Sequence, residues 1–433
     1  MSYKNISRKP SEMNEQKFLI AIIITIIGNI SFSQGLKFTP EETMDSFSIV
    51  DNSTHGFAEN IPYKYSLERF VPQPLEQDGS SCVGYASLYY TMSTMYNISF
   101  GITNPRAKLA HAFDPYFIYT IIQNDVSHCD EGLYMYQAIE LIGKIGAKKM
   151  FFPPYLSCNS EWSDNVLTNT LSYTKPYRIK EIYSIETKSP RVIKTIKGLV
   201  NNNIPVVCAF SITKSLYPRS SSNPRGVSSN GLWSPLELEV DEGGHAMTII
   251  GYDDYKFGGA YRIVNSWGSD YGDNGYIWMR YSDFKKYARE AYVLELNDNI
   301  KTNARTANVQ MQDSDYSRFK YKISSYYEGQ ERYDKAYGYG IYTTDYNEMF
   351  FIGKTINSQL NGFTIIIDND GIYTANARNG EFLDWNELGF AGADESLESD
   401  YQFKKYFSVI DSNTSIRKAS STKLDKKSFE VPN

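Results

Sequence analysis

The run Glu242-Gly-Gly-His-Ala-Met-Thr-Ile-Ile-Gly-Tyr252, followed by Tyr261-Arg-Ile-Val-Asn-Ser-Trp-Gly268 and Asn274-Gly-Tyr-Ile-Trp-Met-Arg280, constrains this chain more than any other feature. Apolar runs punctuated by glycine predict successive strands. His245 opens the first strand and Asn265 closes the second, so two polar side chains meet at one rim of a sheet. That pair supplies a base and a group to orient it, and leaves a nucleophile to be found.

Upstream, Gln77-Asp-Gly-Ser-Ser-Cys82 leads into the apolar run from Val83 to Met95, which predicts a mostly buried helix beginning at the cysteine. A thiol at a helix N-terminus faces unpaired amides and the positive end of the dipole. A neighbouring imidazolium adds to this and can hold such a cysteine near a pKa of about 3 to 4, as a thiolate at neutral pH.

Cys82, His245 and Asn265, in that order and with those flanks, resemble the papain-like (C1) cysteine peptidases. The resemblance spans roughly residues 60–296 and implies an α+β fold of two lobes, one helical and one an antiparallel β-barrel. It implies that Cys82 attacks the scissile carbonyl, that His245 protonates the leaving amine, and that Asn265 orients the imidazole. Trp267 matches the family tryptophan that shields the His–Asn hydrogen bond from water. Gln77 stands one residue closer to the cysteine than the family's oxyanion glutamine and is expected in that role, since the carboxylate of Glu76 could not stabilise an oxyanion. Gly132 and Gly244 are expected to line the substrate cleft and to offer backbone hydrogen bonds to an extended peptide.

The sequence departs from the family pattern in several places. Gly79 stands where the family has a cysteine and Val83 where it has a tryptophan. The interval from Cys82 to His245 exceeds the roughly 130 to 150 residues usual in the family, which surface insertions accommodate at little entropic cost. The polar segment from Ser215 to Val240 is the expected insertion and runs directly into the His245 strand. Of the remaining cysteines, Cys208 reads as a buried strand residue, and the resemblance makes Cys129 and Cys158 candidates for a rewired disulfide.

At 433 residues, 41% apolar and 22% charged, the chain is long enough for two globular domains, and its net charge of −6 gives no sign of nucleic-acid binding. Lys17, the apolar run from Phe18 and the small residues ending at Ser33 have the parts of a secretory signal peptide, with Met13 an alternative start. The apolar run is short against the ~20 residues that span a bilayer. Residues 1–33 are therefore read as a signal, with secretion or periplasmic export and no stable membrane insertion after cleavage. Residues 34–59 form a polar segment too short for the large inhibitory prosegment of many family members, so restraint falls to a short segment or to the C-terminal region, or the chain folds active.

Beyond a linker at 297–317, residues 318–411 are aromatic and punctuated by glycine, which predicts a smaller all-β domain; its Tyr-x-Gly and Gly-x-Gly elements are similar to MORN repeats. Residues 412–433 read as a solvated, disordered tail. His55 and His111 have no partner spacing and read as structural or exposed. Only His128-Cys129 offers adjacent metal-binding residue types, so neither a metal nor a cofactor is expected. The expected partner is a peptide or protein substrate, with oligomeric state open. Two further readings remain: a silent scaffold that binds a partner, and an amidase or transpeptidase acting on cell-wall peptides.

Overall fold

The structure, a computed structural model, describes residues 35–50, 60–122, 131–151, 156, 157, 160, 163–297, 317–320, 326–333, 335–343, 350–357, 359–367, 372–379 and 381–387. The apolar leader, His55, His128, Cys129, Cys158, most of the linker and the tail lie outside the described residues, and with them the expected disulfide and signal.

Cys82–Gly84, Tyr85–Met92 and Ser93–Phe100 form one continuous helix whose middle stretch is wound as a π-helix. It carries apolar or aromatic side chains on all sides, and such a helix has to be buried. Val83, Tyr85, Leu88, Tyr89, Tyr90 and Met92 are all within the core. The helix reaches Phe100, past the expected end of the run at Met95. Met135–Ile145 forms a helix that buries Met135, Ala138, Ile139 and Ile142 on one side.

The first sheet contains, in chain order, β1 (Leu36–Lys37), β2 (Ser48–Ile49), β3 (Lys64–Ser66), β4 (Leu133–Tyr134), β5 (Ile179–Ser184), β6 (Val206–Thr213), β7 (Leu232–Trp233), β8 (Asp241–Asp253), β9 (Ala260–Val264), β10 (Tyr276–Arg280) and β11 (Ala288–Leu296). Its main path is β2-β5-β11-β6-β8-β9-β10-β7. The path from β5 to β10 is antiparallel, and parallel pairing is confined to the short strands β1, β2 and β7. β6 is buried throughout and β8 nearly so, which explains their continuous apolar sequences. Cys208 lies inside β6, buried and unbridged, as expected.

The C-terminal region forms a second sheet, an antiparallel meander of β12 (Ser317–Lys320), β13 (Tyr326–Arg332), β14 (Lys335–Thr343), β15 (Phe350–Ile356), β16 (Gln359–Ile367), β17 (Ile372–Arg378) and β18 (Glu381–Glu387). Gly329, Gly340 and Gly353 are register partners across three strands. At Gly340 a Cβ would strike the Tyr327 ring, which lies over it. Alternation along the strands sorts two apolar faces. Ile341, Phe350, Ile352, Ile365 and Ile367 join the large core of the N-terminal part, whereas Tyr327, Tyr342, Phe351, Ile366 and Phe382 form a second cluster. A buried carboxylate fastens the junction: Glu328 accepts hydrogen bonds from the hydroxyls of Tyr96 and Tyr177 and lies 3.3 Å from Nδ1 of His111. His111 is thus a buried structural residue.

Candidate active site

Cys82 is the first residue of the long helix, as the sequence implies, and Ser81 precedes it as N-cap. The preceding loop is braced from within: the Ser81 hydroxyl donates to Asp78 O at 2.6 Å, and the Tyr116 hydroxyl donates to the Asp78 carboxylate at 2.9 Å. Across the sheet, β6 and β9 flank β8, so His245 pairs in register with Phe210 and Asn265 follows the end of β9. The Asn265 amide donates to Gly275 O at 3.0 Å, which fixes the turn.

The His245 Nε2 lies 2.7 Å from Asn265 Oδ1. The same oxygen accepts the Ser266 amide at 2.8 Å, which identifies it as the carbonyl side of the asparagine and requires a proton on Nε2. Nδ1 then carries the lone pair, and it has no hydrogen-bond partner. Trp267 lies over this pair, its ring centroid 4.9 Å from that of His245 at 34°.

Gln77 is drawn into the same rim. Its amide donates to Ser266 O at 2.7 Å, its Oε1 accepts from the Ser266 hydroxyl at 2.6 Å, and its Nε2 donates to Gly79 O at 2.8 Å. Glu76 forms an antiparallel bridge with Trp267. In this arrangement one Gln77 N–H is spent on its own loop, so only its second N–H remains for an oxyanion.

Several supporting residues carry no signal in their local sequence. The Tyr90 hydroxyl, two helical turns beyond Cys82, donates to Asn265 O at 3.0 Å. Thr248 of β8 donates to Ala86 O at 3.0 Å and meets Thr91 at 3.1 Å. These bonds lock the cysteine helix to the strands bearing His245 and Asn265.

Gly132 and Gly244, expected to line a substrate cleft, lie against the chain's own residues 35 and 36. β1 pairs in parallel with β4 and meets β8 at Gly244, so Gly35 to Lys37 lie as a strand between the two walls. A Cβ on Gly132 would sit 2.4 Å from Gly35 C, and one on Gly244 would sit 2.7 Å from Leu36 Cδ2. Only glycine on both walls admits a strand this closely. Beyond the cleft, Thr39 donates its amide and hydroxyl to the two carboxylate oxygens of buried Glu290, each at 2.6 Å. The Phe47 ring meets Tyr292 edge-on, and Val50 N donates to Ser184 O. Residues 35–50 of this short polar segment are thus held against β4, β8, β5 and β11.

Burial bears on the charge of the site. Cys82, His245 and Asn265 are all 0% exposed. Burial pushes the Cys82 thiol up to about 12, against the opposing pull of backbone groups of Ala246, Gly35, Val83 and Cys82 itself. Burial likewise lowers His245 to about 4, with the Asn265 bond acting the other way. Burial thus opposes the thiolate that the helix terminus favours. Among the described residues no group of side chains could hold a metal ion.

The fold thus joins Asn265 to His245 and places Cys82 at the start of the helix bonded to their strands, with no hydrogen bond between the Cys82 sulfur and His245 Nδ1. Residues 120–295 match the model of the papain family cysteine protease. The match includes His245 and Asn265 and begins after Cys82. The chain is similar in structure to xylellain, a cysteine protease from Xylella fastidiosa, at 22% identity and a TM-score of 0.48, covering 61% of this chain and 96% of that one. It is also similar to digestive procathepsin L2 proteinase from Tenebrio molitor larval midgut, at 18% identity and a TM-score of 0.46, covering 61% and 78%. For bromelain protease from Ananas comosus the values are 18% identity and a TM-score of 0.41, covering 55% and 100%. No curated protein matches.

Proposed function

We propose that the chain is an exported endopeptidase that cleaves peptide bonds through Cys82, His245 and Asn265. The observation that carries this reading is the His245 Nε2 to Asn265 Oδ1 bond of 2.7 Å, which leaves Nδ1 free to take a thiol proton beside a helix N-terminus. In the open cleft Nδ1 removes the Cys82 proton and the sulfur attacks the substrate carbonyl carbon. The imidazolium then protonates the departing amine, leaving a thioester. Water, deprotonated by the same imidazole, hydrolyses the thioester and returns the thiol. The Cys82 amide and the second Nε2 hydrogen of Gln77 stabilise the oxyanion. Export rests on Lys17 and the apolar run after it.

The reading is tested by labelling the purified chain with an epoxysuccinyl inhibitor from pH 4 to 8 and mapping the adduct by mass. A single adduct on Cys82 that is lost in His245→Ala is expected. Absence of any adduct on folded, uncovered protein would favour a silent binding scaffold, and product analysis on cell-wall peptides separates an amidase or transpeptidase. Asn265→Ala should slow turnover without ending it. Removing a buried hydrogen bond to the base costs about 1.4 to 3 kcal/mol, or roughly 10- to 100-fold in rate.

A further inference from the structure

The expected insertion after Ser215 reaches the active site through one side chain. The Tyr217 ring stacks on Trp267, with centroids 5.6 Å apart and planes at 18°. Trp267 in turn lies 4.9 Å from the His245 ring. Tyr271 meets Trp267 edge-on at 4.9 Å and donates its hydroxyl to Leu216 O, immediately before Tyr217. The tryptophan is thus held between its own loop and the insertion.

The insertion is built to hold Tyr217 still. The Asn223 Nδ2 faces the carbonyls of Lys214, Tyr217 and Pro218 at 3.0, 3.3 and 3.3 Å. Val227 N donates to Tyr217 O and Arg219 N to Val227 O, closing the loop on itself. At its base the Ser215 hydroxyl donates to Glu239 at 2.6 Å and accepts from the buried Trp233 indole at 3.3 Å. A segment whose sequence reads as polar surface thereby presents one aromatic ring, in fixed register, to the residue that covers the His245–Asn265 bond.

We propose that Tyr217 is a positioning residue for the His245 imidazole, acting through Trp267, with Asn223 holding the loop that carries it. The proposal rests on the reading of Cys82, His245 and Asn265 as the reacting set. Without the Tyr217 ring, Trp267 loses one of the two rings that pack against it, its cover over His245 loosens, and water gains access to the Nε2–Oδ1 bond. The stacking partner is an aromatic face, so phenylalanine serves as well as tyrosine. Asn223→Asp replaces a donor facing three carbonyls with a carboxylate that those carbonyls repel.

The test is the second-order rate of Cys82 alkylation by an epoxysuccinyl inhibitor, measured across pH 4 to 8 on the full chain, with the His245 ring resonances followed in parallel by NMR. Tyr217→Ala and Asn223→Asp are expected to slow alkylation about 3- to 10-fold, the range an aromatic pair contributes, to displace the imidazole-dependent limb of the profile and to shift the His245 resonances. Tyr217→Phe is expected to restore rate and profile. If the wild type reacts and Tyr217→Ala keeps its rate, profile and resonances while melting normally, this proposal is overturned and the reacting set stands. If the folded, uncovered wild type shows no Cys82 adduct, the reacting set itself is wrong.

Discussion

Leu36→Asp raises the rate of Cys82 alkylation by on the order of 100-fold, while Leu36→Ile leaves it close to the wild-type value. Leu36 sits in the cleft between Leu133 and Gly244, 6% exposed, with Gly35 against Cys82. Its burial contributes about 2 kcal/mol to holding the strand in place. An aspartate there loses that term and adds the cost of an unpaired carboxylate in an apolar slot, several kcal/mol in total. The strand escapes that cost by leaving, since the aspartate is then solvated and the catalytic walls are untouched. A shift of about 3 kcal/mol changes the open population by roughly 100-fold, until opening ceases to limit the rate. Alkylation kinetics read this directly. Equal rates for Leu36→Asp and the wild type would show that the strand is no barrier to the thiol.

The same strand separates what was legible in the sequence from what was not. Cys82, His245 and Asn265 were legible because their local contexts are forced: a thiol opening a buried helix, a histidine opening a buried strand, an asparagine closing the next. Gly132 and Gly244 were legible as positions of close approach, since a side chain at either would strike Gly35 or Leu36. What approaches them was not. Gly35-Leu36-Lys37 has no strand pattern of its own, and it becomes a strand only because both walls offer it unpaired backbone groups. Its anchor, Glu290, stands in β11, far along the chain from Thr39.

Burial of the site was hidden in the sequence for a related reason. Helix dipole and ion-pair arguments assume a wetted cleft, whereas desolvation by a covering strand depends on a contact remote in sequence. Tyr90 and Thr248 were hidden likewise, because a tyrosine or threonine on a buried element looks like packing until its hydroxyl finds a distant carbonyl. The C-terminal meander was legible as β through its glycines and aromatics. Its partial merger with the N-terminal core was not, since the alternation within each strand gives two apolar faces and does not say what covers either.

Cys82→Ala abolishes turnover, with a loss of the order of 10⁴-fold or more, as removal of a nucleophile does in comparable acyl-transfer sites. The substitution also isolates the imidazole and makes the cover measurable. In the native protein, opening can convert a neutral thiol and imidazole into a thiolate and imidazolium with no net proton uptake. With alanine at position 82 only His245 titrates there, from about 4 when covered toward its ordinary 6.5 when open. Its depressed value means that its contribution to the covered state is fully present above pH 6.5 and is lost progressively as pH falls to about 4. The total change is about 3 kcal/mol in favour of opening. Hydrogen exchange of the amides that pair β1 with β4, such as Leu133 N on Gly35 O, should therefore accelerate on acidification in Cys82→Ala and lose this component in the double variant Cys82→Ala, His245→Phe. Retained turnover in Cys82→Ala would refute the nucleophile. Exchange with the same pH dependence in both proteins would show that the covered imidazole is not neutral.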